Sequence, residues 1–268
     1  MVKEQYISHN VVKVTDKMDK IEDRLAIEEP LELRLAGETV AITMRTPGDD
    51  HLLAKGFFFC EGFIKKATEV GKVFHCGRLG TPEYGNVIDV MPAPGVLLNF
   101  DGANLMKRGT LISSACGVCG RTQIDDLVAR CEPFENFTEM QNAGVANCLQ
   151  ALSKNQPLFD LTGGVHAAAV FTQNGDLVAC FEDVGRHNAT DKVIGKLFES
   201  DLIGTALILV VSGRLSFEIV QKATMARIAV VIGISAPTSL AVELAQALKL
   251  TLIGFARGDR WTLYTGEI

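Results

Sequence analysis

The sequence predicts an α/β layered domain preceded by a smaller α+β unit, and three observations carry that reading. From about residue 189 onward, short continuous apolar runs alternate with amphipathic stretches, the pattern of a parallel sheet covered by helices on both faces. Earlier, "LELRLAGETVAITM" alternates apolar and polar residues one by one, the pattern of strands with a single buried face. The chain has 268 residues, 47% of them hydrophobic, which suffices for one large domain or two of ordinary size.

Taken in order, residues 1–24 carry scattered charges with no apolar periodicity and read as a flexible N-terminus. Residues 25–108 form the α+β unit. Leu31, Leu33 and Leu35 alternate with polar partners, Ala36-Gly37 turns the chain, and Val40, Ile42 and Met44 resume the alternation, so a hairpin is predicted. Pro47-Gly48 ends it, Asp49 or Asp50 caps a helix, and Leu52, Leu53, Gly56, Phe57 and Phe59 or Cys60 supply its apolar face. "GKVFHCG", "GNVIDVM" and "GVLLNF" read as further short strands.

Residues 109–121 form a connector rich in Gly and Ser, whose composition predicts mobility. The α/β domain then spans 122–268. "TQIDDLVARC" and "FTEMQNAGVANCLQALSK" read as helices, and two strands flank Asn174-Gly175, a pair suited to a type I′ turn. After them come helix "ATDKVIGKLFES", strand "TALILVVSG", helix "SFEIVQKATMARI", strand "AVVIGIS", helix "SLAVELAQALK" and strand "LTLIGFARG".

The charge balance, −6 with a pI near 5.4, argues against diffuse binding to nucleic acid or anionic membrane, which needs surplus Lys and Arg. The apolar windows fall well short of the roughly 20 residues of a membrane span. The first residues contain no apolar signal block. Seven cysteines at irregular spacing make no disulfide framework. A cytoplasmic protein is expected, and any anionic ligand must be held by a local site.

In open α/β sheets, ligands bind beyond the carboxyl ends of the parallel strands, where helix N-termini present free N–H groups. The strand ends here are "EDVGRHNATDK", "SGRLSFE", "SAPTSL" and "GFARGDRW". Ser212, Gly213 and Arg214 could cradle a phosphate, Ser235, Thr238 and Ser239 repeat the idea, and Arg257, Asp259 and Arg260 complete it. The plainer alternative is that these residues turn the chain while Arg214 and Arg260 pair with nearby acids. Four loops converging on one edge favour a site for a large phosphorylated ligand. None matches GxxxxGK[ST], so a P-loop is excluded.

Cys116-Gly117-Val118-Cys119 admits three chemistries: half a zinc site, a redox dithiol, or a thiol that carries sulfur. Zinc would want a second pair at similar spacing, and the neighbours are only His75-Cys76 and the isolated Cys131, Cys148 and Cys180. No structural metal is expected. A thioredoxin-like pair would sit at a strand-to-helix junction, whereas this one lies on a small-residue connector. A sulfur carrier fits best, since a nucleophile that visits donor and acceptor gains from a mobile tether, and Arg121 would favour the thiolate. Cys60, Cys148 and Cys180 read as small hydrophobes. His166 and His187 begin a strand and a helix; a core or capping role is the default for each, with His187 the better site candidate.

"TPGDDHLLAKGFFFCEGFI", "SSACGVCGRTQIDDL", "TGGVHAAAVF", "EDVGRHNATDKVIG", "SGRLSFEIVQKATMARI", "SAPTSLAVELA" and "LTLIGFARGDRWTLYTG" together resemble the FdhD (FdhD/NarQ-like) family of formate dehydrogenase accessory sulfurtransferases, from about residue 30 to the end. The resemblance implies a protein that takes persulfide sulfur from a cysteine desulfurase. It would pass that sulfur to the molybdenum, or tungsten, bis(guanine dinucleotide) pterin cofactor, here a bound substrate, before formate dehydrogenase receives the cofactor. It implies Cys116 and Cys119 as the sulfur-handling pair, with the persulfide on the first. The stretch Phe255, Ala256, Arg257, Gly258, Asp259 and Arg260 would bind cofactor. A homodimer and a cytidine-deaminase-like three-layer α/β/α fold for the larger domain are also implied.

Two rivals stand beside it. A zinc deaminase needs H-x-E and P-C-x-x-C; here Ala168 stands where the Glu should, and "VSGRLSFE" has no cysteine, so deamination is not expected. The other is a non-catalytic chaperone that binds and delivers the pterin cofactor without sulfur chemistry, for which the two thiols would be unnecessary.

Overall fold

The computed structural model describes residues 4–77, 84–97 and 131–267. Its strands form three sheets, ordered β1-β2, β4-β3-β6-β5 and β12-β11-β10-β9-β7-β8. The fold is mixed α/β.

Strands β1 (Tyr6–Val14) and β2 (Met18–Ala26) pair antiparallel from Tyr6↔Ala26 to Val14↔Met18. The lead read as strandless is therefore a ribbon, and nearly all its side chains are exposed. With no buried face, it has no apolar alternation to reveal it. β3 (Glu29–Leu35) and β4 (Glu38–Arg45) form the expected hairpin, with Leu31, Leu33 and Leu35 fully buried. Ala36 and Gly37 both have positive φ, 53° and 86°, as a two-residue type I′ connection requires. β5 (Val70–His75) and β6 (Val87–Pro92) complete this sheet, β6 lying parallel to β3. "GVLLNF" supplies no strand over its described residues 95–97.

Helix α1 (Asp50–Cys60) starts without a side-chain cap; the Asp49 carbonyl accepts from the Leu52 and Leu53 amides. Asp50 is spent elsewhere. It is buried and accepts from Nε and Nη2 of the fully buried Arg45 guanidinium at 2.9 and 3.0 Å, tying the helix to β4.

In the larger sheet, β9 (Ile208–Val211), β10 (Val230–Gly233) and β11 (Thr251–Arg257) are parallel, as the alternation predicts. Its flanks are not. β7 (His166–Phe171) runs antiparallel to both β9 and β8 (Leu177–Asp183), and β12 (Arg260–Thr265), an unexpected strand, folds back on β11. The β7–β8 turn differs from the expected type I′: only Gly175 has positive φ, 83°, while the Gly175 amide bonds to the Thr172 carbonyl, so the loop is a type I turn closed by a left-handed glycine.

Helices α2 (Asn142–Lys154) and α3 (Pro157–Thr162) follow the undescribed residues; α2 starts later than its apolar pattern suggested. α4 (Arg186–Glu199), α5 (Phe217–Met225) and α6 (Ser239–Ala247) are the crossover helices. The sheet's two faces separate residue by residue. Ala167, Ala169, Val210 and Ile232 pack with Val145, Cys148 and Leu152 of α2, while Ala168, Val170, Leu209, Val211 and Val231 pack with the other helices. That second core continues without a break through Phe58 of α1 to Leu31 of β3, so the smaller sheet and the larger one share one apolar interior.

Candidate functional site

The three parallel strands end on one edge, and hydrogen bonds lace their loops together. The Leu215 amide bonds to the Ala236 carbonyl, the Thr238 amide to the Leu215 carbonyl, and the Phe255 amide to the Ser235 carbonyl at 3.1 Å. Residues 212–216, 234–238 and the start of 255–260 are thus neighbours, as the topology predicts. The α4 segment joins them at Gly213, which is buried. A β-carbon there would lie 2.9 Å from Cδ of Arg186 and 3.3 Å from Cε1 of His166, so any larger residue would press on the two side chains that converge there.

The loop from β8 into α4 is held from beneath. Asp183 Oδ1 accepts the Gly185 amide at 2.9 Å and Asn188 Nδ2 at 3.0 Å, and Asp183 Oδ2 sits 2.8 Å from Lys192 Nζ. Asp183 and Lys192 are essentially inaccessible, at 0% and 1% exposure. Thr46 adds its hydroxyl to the Val184 amide and its carbonyl to Lys192. This buried network fixes where Arg186 and His187 emerge.

Four basic or imidazole groups then gather. His187 Nε2 lies 3.0 Å from Ser216 Oγ and 3.1 Å from Glu218 Oε2, and Ser216 donates to Glu218 at 3.0 Å. The hydrogen bond from His187 draws the Glu218 carboxyl down to about 2, its attraction to His187 and Arg186 adding to the effect. His166 Nδ1 lies 3.2 Å from Ser212 Oγ, which also accepts the Ala167 amide at 3.0 Å. Burial lowers the His166 imidazole, and Arg186 and His187 lower it further against the opposing pull of Asp183. Burial also lowers the Arg186 guanidinium and Arg214 repels it, against the opposing pull of Glu218.

Neither Arg186 nor Arg214 has a carboxylate within ion-pair distance among the described residues, and Arg186 Nε is buried without a hydrogen-bond partner. Two mutually repelling guanidiniums beside helix α4, whose first turn has no side-chain cap, make an edge whose positive charge Glu218 offsets only in part. Among the described residues, the plainer reading, in which Arg214 pairs with a nearby acid and the small and hydroxyl residues only turn the chain, does not hold for Arg214. It does describe Thr238, whose hydroxyl caps α6 by accepting the Ala241 amide.

The 255–260 stretch leaves the same edge as a tight hairpin, Arg257 opposite Arg260. Phe255 is 49% exposed at φ 52°, and Gly258 turns at φ 55°. Arg257, Asp259 and Arg260 are exposed, whereas the Ala256 methyl is buried against the α2 side of the core. Gly258 also borders an open cavity of about 400 Å³ with Ala146, Asn147, Leu149 and Gln150 of α2. Cys116 and Cys119 lie outside the described residues. Among the described cysteines, Cys60 and Cys148 are buried thiols raised by burial, consistent with small hydrophobes.

Sequence reasoning gave His187, Ser212, Gly213 and Arg214 to this edge, gave His166 a core or capping role by default, and assigned no role to Arg186 or Glu218 within the strand-end stretches that contain them. Arg186 adjoins His187 in "GRHN", the one local signal available. His166 and Glu218 reach the edge from β7 and α5, which single-chain spacing cannot show. Among the described residues no group of three metal-ligating side chains converges, and no helix is long and apolar enough to cross a membrane.

The sequence model of the FdhD/NarQ family matches residues 26–268. The chain is 47% identical over 251 residues to a protein of Anaeromyxobacter dehalogenans named sulfur carrier protein FdhD, covering 91% of this chain and 87% of that one. It is 44% identical over 253 residues to the protein of the same name from Mycobacterium tuberculosis, covering 91% and 90%. In fold it is similar to a crystal structure from Desulfotalea psychrophila described as a formate dehydrogenase accessory protein, with TM-score 0.76, 23% identity and 98% of both chains covered. This chain belongs to the FdhD/NarQ family.

Proposed function

We propose that this protein is a sulfur carrier in formate dehydrogenase maturation, one that holds a phosphorylated pterin substrate at the strand-end edge while a cysteine delivers sulfur to it. The observation that carries the proposal is the joining, in one chain, of a Cys-x-x-Cys motif with an edge where, among the described residues, neither Arg186 nor Arg214 has a carboxylate within ion-pair distance. The first suits sulfur, the second an oxyanion. Relatives at 43–47% identity named as sulfur carriers support the same reading.

In the proposed reaction the Cys116 thiolate attacks the outer sulfur of a cysteine desulfurase persulfide. That S–S bond breaks, the desulfurase thiolate leaves with the electron pair, and Cys116 holds the persulfide. Delivery of the outer sulfur as sulfide needs two electrons. Attack by Cys119 on the inner sulfur would supply them as a Cys116–Cys119 disulfide closes. The molybdenum bis(guanine dinucleotide) cofactor is the proposed acceptor. Its phosphates would meet Arg186, Arg214 and the α4 N-terminus, and Phe255 with the 257–260 hairpin would hold a further part. Formate dehydrogenase, a desulfurase and a second copy of this chain are the proposed partners, in the cytoplasm, and helices on both faces of the larger sheet support the finer reading of that domain as cytidine-deaminase-like.

The test is intact mass after alkylation of reduced protein incubated with a cysteine desulfurase and free cysteine. One added sulfur in wild type and Cys119→Ala, absent in Cys116→Ala, is the expected result. No added sulfur in wild type would overturn the carrier and leave a protein that only binds and delivers the cofactor.

A further inference from the structure

We infer that His166 faces the ligand of the strand-end edge as a neutral Nε2–H donor, and that Ser212 is the positioning residue that sets this tautomer rather than a phosphate ligand. The inference rests on the reading of the edge as an anion site and names two residue roles within it.

The argument is one of hydrogen-bond inventory. A serine hydroxyl has one proton and can accept twice. Ser212 Oγ accepts the Ala167 amide at 3.0 Å, and its other contact is His166 Nδ1 at 3.2 Å. No other acceptor lies within hydrogen-bond reach of that hydroxyl among the described residues. In the inferred tautomer, its proton goes to a bare Nδ1 and the ring's own proton sits on Nε2; the opposite tautomer, with Nδ1 donating to Ser212, would leave the hydroxyl proton to solvent. Ser212 occupies itself fully in this way, tying β9 to the first residue of β7, and has nothing left to offer a phosphate.

The surroundings hold the ring neutral. His166 is half-buried, and the groups facing it are Arg186 and His187 from α4, with Asp183 opposite it on β8 the only acid. Asp183 is already engaged by Lys192 and Asn188. A third cation beside Arg186 and Arg214 would add repulsion, whereas a neutral N–H can bind an oxyanion without it. Among the described residues the Nε2 edge has no hydrogen-bond partner, and the ring converges with Arg186 over Gly213, where a β-carbon would come within 3.3 Å of both. The ligand oxygen that Arg186 attracts thus has a second, uncharged donor at hand.

The experiment is two-part, on the full chain. In ¹⁵N-histidine-labelled protein at pH 7, His166, assigned by its loss in H166Q, should show a proton on Nε2 and a bare Nδ1, and S212A should shift it toward a tautomer mixture. Binding of inorganic pyrophosphate is then measured for H166N and H166Q, with circular dichroism confirming the fold. Gln can place an amide N–H near the position of Nε2 and Asn near that of Nδ1, so H166Q should stay within a few-fold of wild type while H166N loses about tenfold. A proton on Nδ1, an imidazolium at pH 7, or equal losses in the two variants would overturn the inference. Absence of pyrophosphate binding in wild type would instead overturn the anion site and the ligand-facing role with it, leaving the tautomer to be judged by the NMR result alone.

Discussion

Gly56 of α1 and Gly195 of α4 lie against each other's helix so closely that a β-carbon on the first would sit 1.9 Å from the Asp191 carbonyl oxygen. One on the second would sit 1.9 Å from the Leu52 carbonyl oxygen. The two backbones touch where the smaller sheet's only α-helix among the described residues meets α4, which packs on the larger sheet. Helices normally pack 8–10 Å apart, held off by side chains; here the contact requires their absence.

Gly56→Ala and Gly195→Ala should therefore each destabilise the protein, although alanine is the better helix former. The propensity gain is about 1 kcal/mol. Overpacking usually costs about 1–3 kcal/mol, and an obstacle that is backbone, unable to rotate aside, puts these changes at or beyond the upper end. Thermal unfolding of both variants is the check. A rise in Tm for either would mean that the helices do not meet at these glycines.

Lys192 and Asp183 form a second junction, buried at 1% and 0% exposure, beneath the loop that presents Arg186 and His187. Lys192→Met should cost about 3–5 kcal/mol, because it strands a buried carboxylate. The double variant Lys192→Met with Asp183→Leu removes both charges but leaves the Gly185 amide without its acceptor and Asn188 Nδ2 with the Met44 carbonyl alone. Its stability should recover in part while pyrophosphate binding does not. Denaturant unfolding and calorimetric binding on the same samples separate the two effects.

How much of this was legible in the sequence follows from where each signal is encoded. Leu31, Leu33 and Leu35, and the runs at 208–211 and 230–233, show their burial in their own periodicity, so both sheets could be anticipated. The β1–β2 ribbon could not, since exposure on both faces leaves "MDKIEDRLA" with no alternation to read. β12 was hidden because Arg257-Gly258-Asp259-Arg260 reads equally as a loop end or as a hairpin turn. The site divides the same way. Ser212, Gly213, Arg214 and His187 follow from strand-end logic, but His166 meets Ser212 across 46 residues and Glu218 meets His187 from another helix. By position Asp50 reads as a cap; only the fold shows the buried Arg45 that claims it.

Glu218 predicts a pH signature. Its carboxyl falls from the usual 4.5 to about 2, first through the hydrogen bond from His187. A depressed folded-state value contributes stability above pH 4.5 and loses it as pH falls toward 2. The side chain is 43% exposed, so solvent screening holds the contribution to about 1 kcal/mol or less. Wild type should thus lose more Tm between pH 5 and pH 2.5 than Glu218→Gln does, by about 2–4 °C at most. Parallel slopes for the two proteins would show that the carboxylate gains nothing from His187 in the folded state.

The unpartnered arginines give the prediction closest to function. If Arg186 and Arg214 await an oxyanion, replacing either by Ala should relieve their mutual repulsion in the free protein while weakening the bound state. Stability should then hold or rise slightly, and pyrophosphate or GDP affinity should fall by about tenfold or more, as for hydrogen bonds to a charged group. Ordinary structural arginines behave in the opposite way, losing stability when truncated. Arg214 is the more exposed of the two, so its loss should also flatten the salt dependence of binding, whereas the half-buried Arg186 is screened less. Melting temperature and calorimetric affinity at two ionic strengths, measured for both variants, decide the matter. An affinity unchanged in both would remove the strand-end edge as the ligand's seat, and a drop in stability without loss of binding would make the pair a structural feature only.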